Sequence, residues 1–156
     1  MFLLFRKVLK KKYARPHGKA ELRQDFLLLL VVLYAAVLLK LAFLSRAPGS
    51  RTDVSLRLFA TWGSTLREHS FFLENILMFI PFGILIPYAF PALRRLRRCT
   101  AAGFLCSLCL ELVQLATGRG FCQLDDLVTN TLGTLIGALI FLAISRVHVH
   151  GRTASG

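Results

Sequence analysis

Leu127-Val-Thr-Asn-Thr-Leu-Gly-Thr-Leu-Ile-Gly-Ala-Leu-Ile-Phe-Leu-Ala-Ile-Ser145 carries no charged residue and is long enough, at about 1.5 Å per residue, to cross about 30 Å of hydrocarbon. Three further stretches meet the same test: Phe26 to Leu44, Phe71 to Phe90 and Cys99 to Thr117. The reading is an all-α integral membrane protein with four transmembrane helices. Composition agrees, because 55% hydrophobic residues in a chain of 156 are too many for an ordinary soluble domain. One membrane domain, 26–145, is expected between a basic arm, 1–25, and a short tail, 146–156.

The net charge of +12 follows from topology rather than from nucleic acid. The arm, the loop holding Arg94, Arg95, Arg97 and Arg98, and the tail with Arg146 and Arg152 account for +6, +4 and +2. Basic residues beside membrane spans stay in the cytoplasm, so both termini and this loop are predicted inside, and the loops 45–70 and 118–126 outside. Lys10-Lys-Lys12 could also meet anionic lipid headgroups. The opening Met1-Phe-Leu-Leu-Phe5 is too short for a signal-peptide core and charge follows it, so no cleavage is expected. Cys106 and Cys109 lie mid-span on one helix and Cys122 has no partner at its own depth, so these three and Cys99 read as small apolar residues or free thiols. No metal and no cofactor is expected.

Within the first outer loop, Val54, Leu58, Phe59, Trp62 and Leu66 recur at helical spacing, which predicts an amphipathic helix on the membrane surface. The first span is aliphatic except for Tyr34 and Lys40 and reads as an anchor. The second holds Pro81, Gly83 and Pro87, which remove or weaken backbone hydrogen bonds and so call for neighbouring helices or polar groups around the freed carbonyls.

Polar groups collect at the outer ends of the last two spans. Gly103, Ser107, Glu111 and Gln114 share one face of the third, and Asp126, Asn130, Gly133 and Gly137 form a stripe on the fourth. The pair Gly133 and Gly137 has the spacing that lets membrane helices touch backbone to backbone. Topology puts Glu74, Asn75, Glu111, Gln114, Asp126 and Asn130 in the outer third, under a loop with Arg119, Gln123 and Asp125. Ionisable groups at such depth point to a functional site. The candidate ligand-binding set is therefore Asn75, Glu111, Gln114, Arg119, Asp125, Asp126 and Asn130. Glu111 and Asp126 are the candidates for catalysis: Glu111 would act as proton carrier or general acid if desolvation keeps it neutral, and as a fixed charge if Arg119 contacts it. The competing reading is a hydrogen-bonded network that only ties helices together.

These blocks, Asn75-Ile-Leu-Met-Phe-Ile-Pro-Phe-Gly83 and Glu111 through Gly137, resemble the VanZ-like family of small bacterial membrane proteins, named for an accessory protein of teicoplanin resistance. The resemblance runs from about Asp53 to Leu142 and includes the Gly118-Arg119-Gly120 turn, the Asp125-Asp126 pair and Asn130-Thr-Leu-Gly133. It departs at Gln123, where many relatives carry an acidic residue, and at Ser55-Leu-Arg-Leu-Phe59, where many have Asn and Pro before the aromatic. It implies four helices, the bacterial cytoplasmic membrane, and an effect on susceptibility to glycopeptide antibiotics. The expected partners are membrane lipids, with a lipid headgroup, lipid-linked molecule or lipophilic glycopeptide as ligand. The alternative is a carboxylate-dependent enzyme acting on a lipid-linked envelope precursor. Transport lacks a continuous polar path in one copy, which a homo-oligomer could supply.

Overall fold

The four apolar runs are helices that alternate in direction. The computed structural model describes residues 18–44, 54–55, 66–119 and 122–153. In chain order these are α1 (Lys19–Leu39), continued by a π-helical turn (Lys40–Leu44), the two-residue strand β1 (Val54–Ser55), α2 (Leu66–Ala89), a 3-10 turn (Pro91–Leu93), α3 (Leu96–Thr117), β2 (Cys122–Gln123) and α4 (Leu124–Thr153). All four helices are long and apolar enough to cross a membrane.

The largest boundary differences from the hydropathy reading arise because helix-compatible polar residues extend an apolar run without being apolar. α1 starts at Lys19 and takes in Glu21, Arg23, Gln24 and Asp25, where the Gln24 amide donates to the Ala89 carbonyl at 2.9 Å and docks the start of α1 on the end of α2. α2 starts at Leu66, ahead of Phe71, and α4 continues past Ser145 to Thr153. The amphipathic surface helix expected across Val54–Leu66 is not confirmed. Val54 is extended and pairs with Cys122, and Leu66 already belongs to α2; Leu58, Phe59 and Trp62 lie outside the described residues.

The bundle is centred on α4, which packs most extensively on α2 and next on α3. Sequence makes this approach possible. A methyl group at Gly133 would overlap the Ile76 carbonyl, and one at Gly137 would overlap the Ile80 carbonyl. The backbones of α2 and α4 therefore touch, as the small-residue spacing predicts. Phe79 fills the core, and the Tyr88 and Phe141 rings meet edge to face at 4.7 Å.

Of the two prolines of α2, Pro87 leaves a carbonyl that a neighbouring helix serves, as hydrocarbon requires. Pro87 has no N–H for the Gly83 carbonyl, and the buried Cys99 thiol of α3 donates to it at 3.8 Å. Separately, the Tyr34 hydroxyl of α1 donates to the Met78 carbonyl at 2.8 Å and so ties α1 to α2. α1 is thus more than an anchor. Its remaining surface, including Phe26, Leu29, Val32, Leu33 and Val37, is exposed and faces outward from the bundle.

The helix directions bias charge by end. Lys19, Arg23, Arg94, Arg95, Arg97, Arg98 and Arg146 gather at one end with Glu21 and Asp25, while Glu74, Glu111, Asp125 and Asp126 lie at the other with Lys40 and Arg119. These are called the basic and acidic ends below.

Candidate functional site

At the acidic end, α3 closes on Gly118, whose φ of 61° is left-handed and costs a glycine no steric strain. The reversal sends the chain through Arg119 towards β2 and α4. Gly103, Ser107, Glu111 and Gln114 are all buried, so the polar face of α3 turns into the bundle as its spacing implied. Opposite, Asp125, Thr129, Asn130 and Thr134 are buried on α4.

Contacts between these faces are specific. Glu111, 4% exposed, accepts the Gln123 backbone N–H at 3.1 Å. Gln123 belongs to β2, paired in parallel with β1, so Val54–Ser55 lies beside the strand whose backbone bonds the Glu111 carboxylate. Asn75 of α2 donates to Asp126 Oδ1 at 2.7 Å. Asn130 Nδ2 donates to Ser107 Oγ at 2.9 Å. At about 1.5 Å per residue, Glu111 and Asn130 both lie about 9 Å from the acidic-end termini of their helices, Thr117 and Leu124.

Gln114 and Arg119 have a different task. Gln114 Nε2 donates to the Ala42 carbonyl, and Arg119 Nη1 to the Phe43 carbonyl, both at 3.0 Å. Those carbonyls belong to the π-helical end of α1, where a helix terminus leaves acceptors without intrahelical partners. The amide and guanidinium satisfy them and lash α1 to α3. Glu74, placed in the outer layer by depth alone, is exposed on α2 beside the half-buried Asn75.

Asn75, Glu111, Asp126 and Asn130 thus occupy one layer with Ser107, and Asp125 is buried in the first turn of α4. Two acidic residues in that turn are also favoured by the helix dipole. Sequence reasoning missed Thr129 and Thr134. The Thr129 hydroxyl donates to the Asp125 carbonyl at 2.8 Å and that of Thr134 to the Asn130 carbonyl at 3.1 Å. A signal for Thr134 existed, since Asp126, Asn130 and Thr134 advance by four and must share a face.

A family model, VanZ/LLP1, matches residues 26–145, which takes in all four spans and every residue of this layer. The chain belongs to the VanZ/LLP1 family. Among curated relatives, it is 30% identical over 135 residues to Protein VanZ of Enterococcus faecium, covering 85% of this chain and 80% of that protein. No solved structure matches it. Against the family's pattern, the departure at Gln123 falls on a residue whose backbone, not its side chain, bonds Glu111. The Asn75 block and the Glu111–Gly137 block are the two faces joined by the Asn75–Asp126 bond.

Proposed function

We propose that this VanZ/LLP1 protein resides in the bacterial cytoplasmic membrane with both termini inside and its acidic end outward. There it binds a polar lipid headgroup or lipophilic glycopeptide in the buried polar layer, and so alters susceptibility to teicoplanin-type antibiotics. The orientation is supported by the cationic residues of the basic end, which favour the cytoplasmic side.

The observation that carries the ligand reading is the 2.7 Å bond from Asn75 to Asp126, because it draws segments 51 residues apart into the layer that holds Glu111 and Asn130. Helices already in backbone contact through Gly133 and Gly137 do not need buried carboxylates to hold them, and burying such groups carries a desolvation penalty. Gln114 and Arg119 then act by fixing α1, leaving Asn75, Glu111, Asp126 and Asn130 as the ligand-facing set.

The test is teicoplanin susceptibility of a bacterial host expressing the chain, with membrane insertion verified by fractionation. Alanine at Glu111 or Asp126 is expected to remove the effect of expression while the protein still inserts. Full effect with both changed together would end the proposal.

A further inference from the structure

The turn between α2 and α3 holds Arg94, Arg95, Arg97 and Arg98, all exposed, and no acidic residue occurs from Ile76 to Leu110. Orientation in the membrane would be served by basic residues of either kind. The arm, residues 1–25, mixes five lysines with three arginines, whereas this turn uses arginine alone. Arginine differs from lysine in presenting a planar fork that meets a phosphate with two parallel hydrogen bonds.

Two of the four side chains are fixed by the fold. Pro91 has no N–H for the Pro87 carbonyl, and Arg94 Nε donates to that oxygen at 3.3 Å. Arg98 Nη1 donates to the Ala92 carbonyl, also at 3.3 Å. Each bond uses one guanidinium N–H and leaves a two-pronged edge: the Nη1–Nη2 pair of Arg94 and the Nε–Nη2 edge of Arg98. Counter-charge from the chain itself is scarce here. Residues 1–17 and 146–156 hold no Asp or Glu, and the acids of this end, Glu21 and Asp25, are both on α1.

Next to the cluster, α3 presents an apolar strip. Ala101 and Phe104 lie four and seven residues beyond Arg97, and Leu105 lies seven beyond Arg98, so they share the faces of those arginines. All three are exposed, and the strip reaches about 10 Å along the helix from the guanidinium-bearing turn. A free phosphate would engage the forks and leave the strip unused. A phospholipid engages both, because its phosphate and its acyl chains are joined at that spacing.

We propose that the α2–α3 turn binds an anionic phospholipid, its phosphate held by Arg94 and Arg98 and an acyl chain lying on Ala101, Phe104 and Leu105. Arg95 and Arg97 add attraction for the headgroup. The site is at the opposite end of the bundle from the polar layer and does not depend on the function proposed there.

The experiment titrates phosphatidylglycerol or phosphatidylcholine onto the delipidated full-length protein in a neutral detergent and measures bound lipid by native mass spectrometry. Phosphatidylglycerol is expected to bind at least about tenfold more tightly than phosphatidylcholine. Inorganic phosphate in excess is expected not to displace it. Arg98→Lys keeps the charge and the Arg94 bond to Pro87 while removing one fork, and should weaken phosphatidylglycerol binding by about threefold or more. Arg94→Lys combined with Arg98→Lys should bring the two lipids close to equality. Lys10→Gln, Lys11→Gln and Lys12→Gln together remove charge from the arm and should leave the preference unchanged.

Equal binding of the two lipids by the unaltered protein would overturn the proposal, whatever the variants do. So would an arm variant that loses as much as the arginine variants, or arginine-to-lysine variants that keep the full preference, since either result traces binding to bulk charge. Displacement of phosphatidylglycerol by inorganic phosphate would refute the lipid as occupant and leave a simple anion site.

Discussion

Replacing Gly133 with alanine tests whether α2 and α4 are held by backbone contact. The new methyl group would overlap the Ile76 carbonyl oxygen and stand 3.0 Å from its carbon and 3.1 Å from the Ile76 Cα. These are backbone atoms in mid-helix, which no rotamer change can move aside. Alanine gains about 1 kcal/mol of helix propensity over glycine. Against this, overpacking a close interface costs about 1–3 kcal/mol, and more when the obstacle is rigid. Parting the helices also strains the bond from Asn75, the residue next to Ile76, to Asp126, and such bonds contribute roughly 0.6 kcal/mol in membrane proteins. The net expectation is a loss of about 1–3 kcal/mol, measured by reversible denaturant unfolding of the purified protein in detergent micelles. Gly18→Ala is the control, since nothing lies within 4 Å of a methyl group there. If Gly133→Ala unfolds no more readily than the parent, or if Gly18→Ala loses as much, the backbone-contact argument fails.

Tyr34→Phe removes the donor to the Met78 carbonyl without changing shape, and should lower stability by about 1 kcal/mol in the same unfolding assay. Gln114→Leu leaves the Ala42 carbonyl without its donor and should loosen α1, read as faster backbone hydrogen exchange across Lys40–Leu44 while α4 near Asn130 is unchanged. Equal acceleration in both places would mean global destabilisation instead of a lost tether. A periplasm-active reporter fused after Gly120 should be active and one fused after Arg95 silent; the opposite pattern would invert the orientation and put the polar layer on the cytoplasmic side.

The local chemistry of α3 and α4 made much of the site legible. Glu111 and Gln114 fall on the buried face of α3 because helical periodicity is local, and Asp126 and Asn130 share a face of α4 for the same reason. Depth, counted from the helix ends, brought Asn75 and Asp126 into the same outer third, and the structure bonds them. Depth could not tell which way a side chain points, and so it also gathered Glu74, which is exposed. Nor could it foresee that Arg119 serves the end of α1, since an orphaned carbonyl has no sequence signature.

Sequence alone determined the membrane class, the four spans, the excess of basic residues at one end and the small-residue contact at Gly133 and Gly137, because each depends on length, hydropathy, composition or a helical repeat within one segment. Only the tertiary structure decided the partners: Tyr34 and Cys99 for the proline-containing helix, Gln114 and Arg119 for the end of α1, β1 laid beside β2, and Asn130 bonded to Ser107 across α3 and α4. In hydrocarbon no water completes a backbone or amide group, so each must be completed by whichever helix lies alongside. Which helix that is depends on packing between segments distant along the chain.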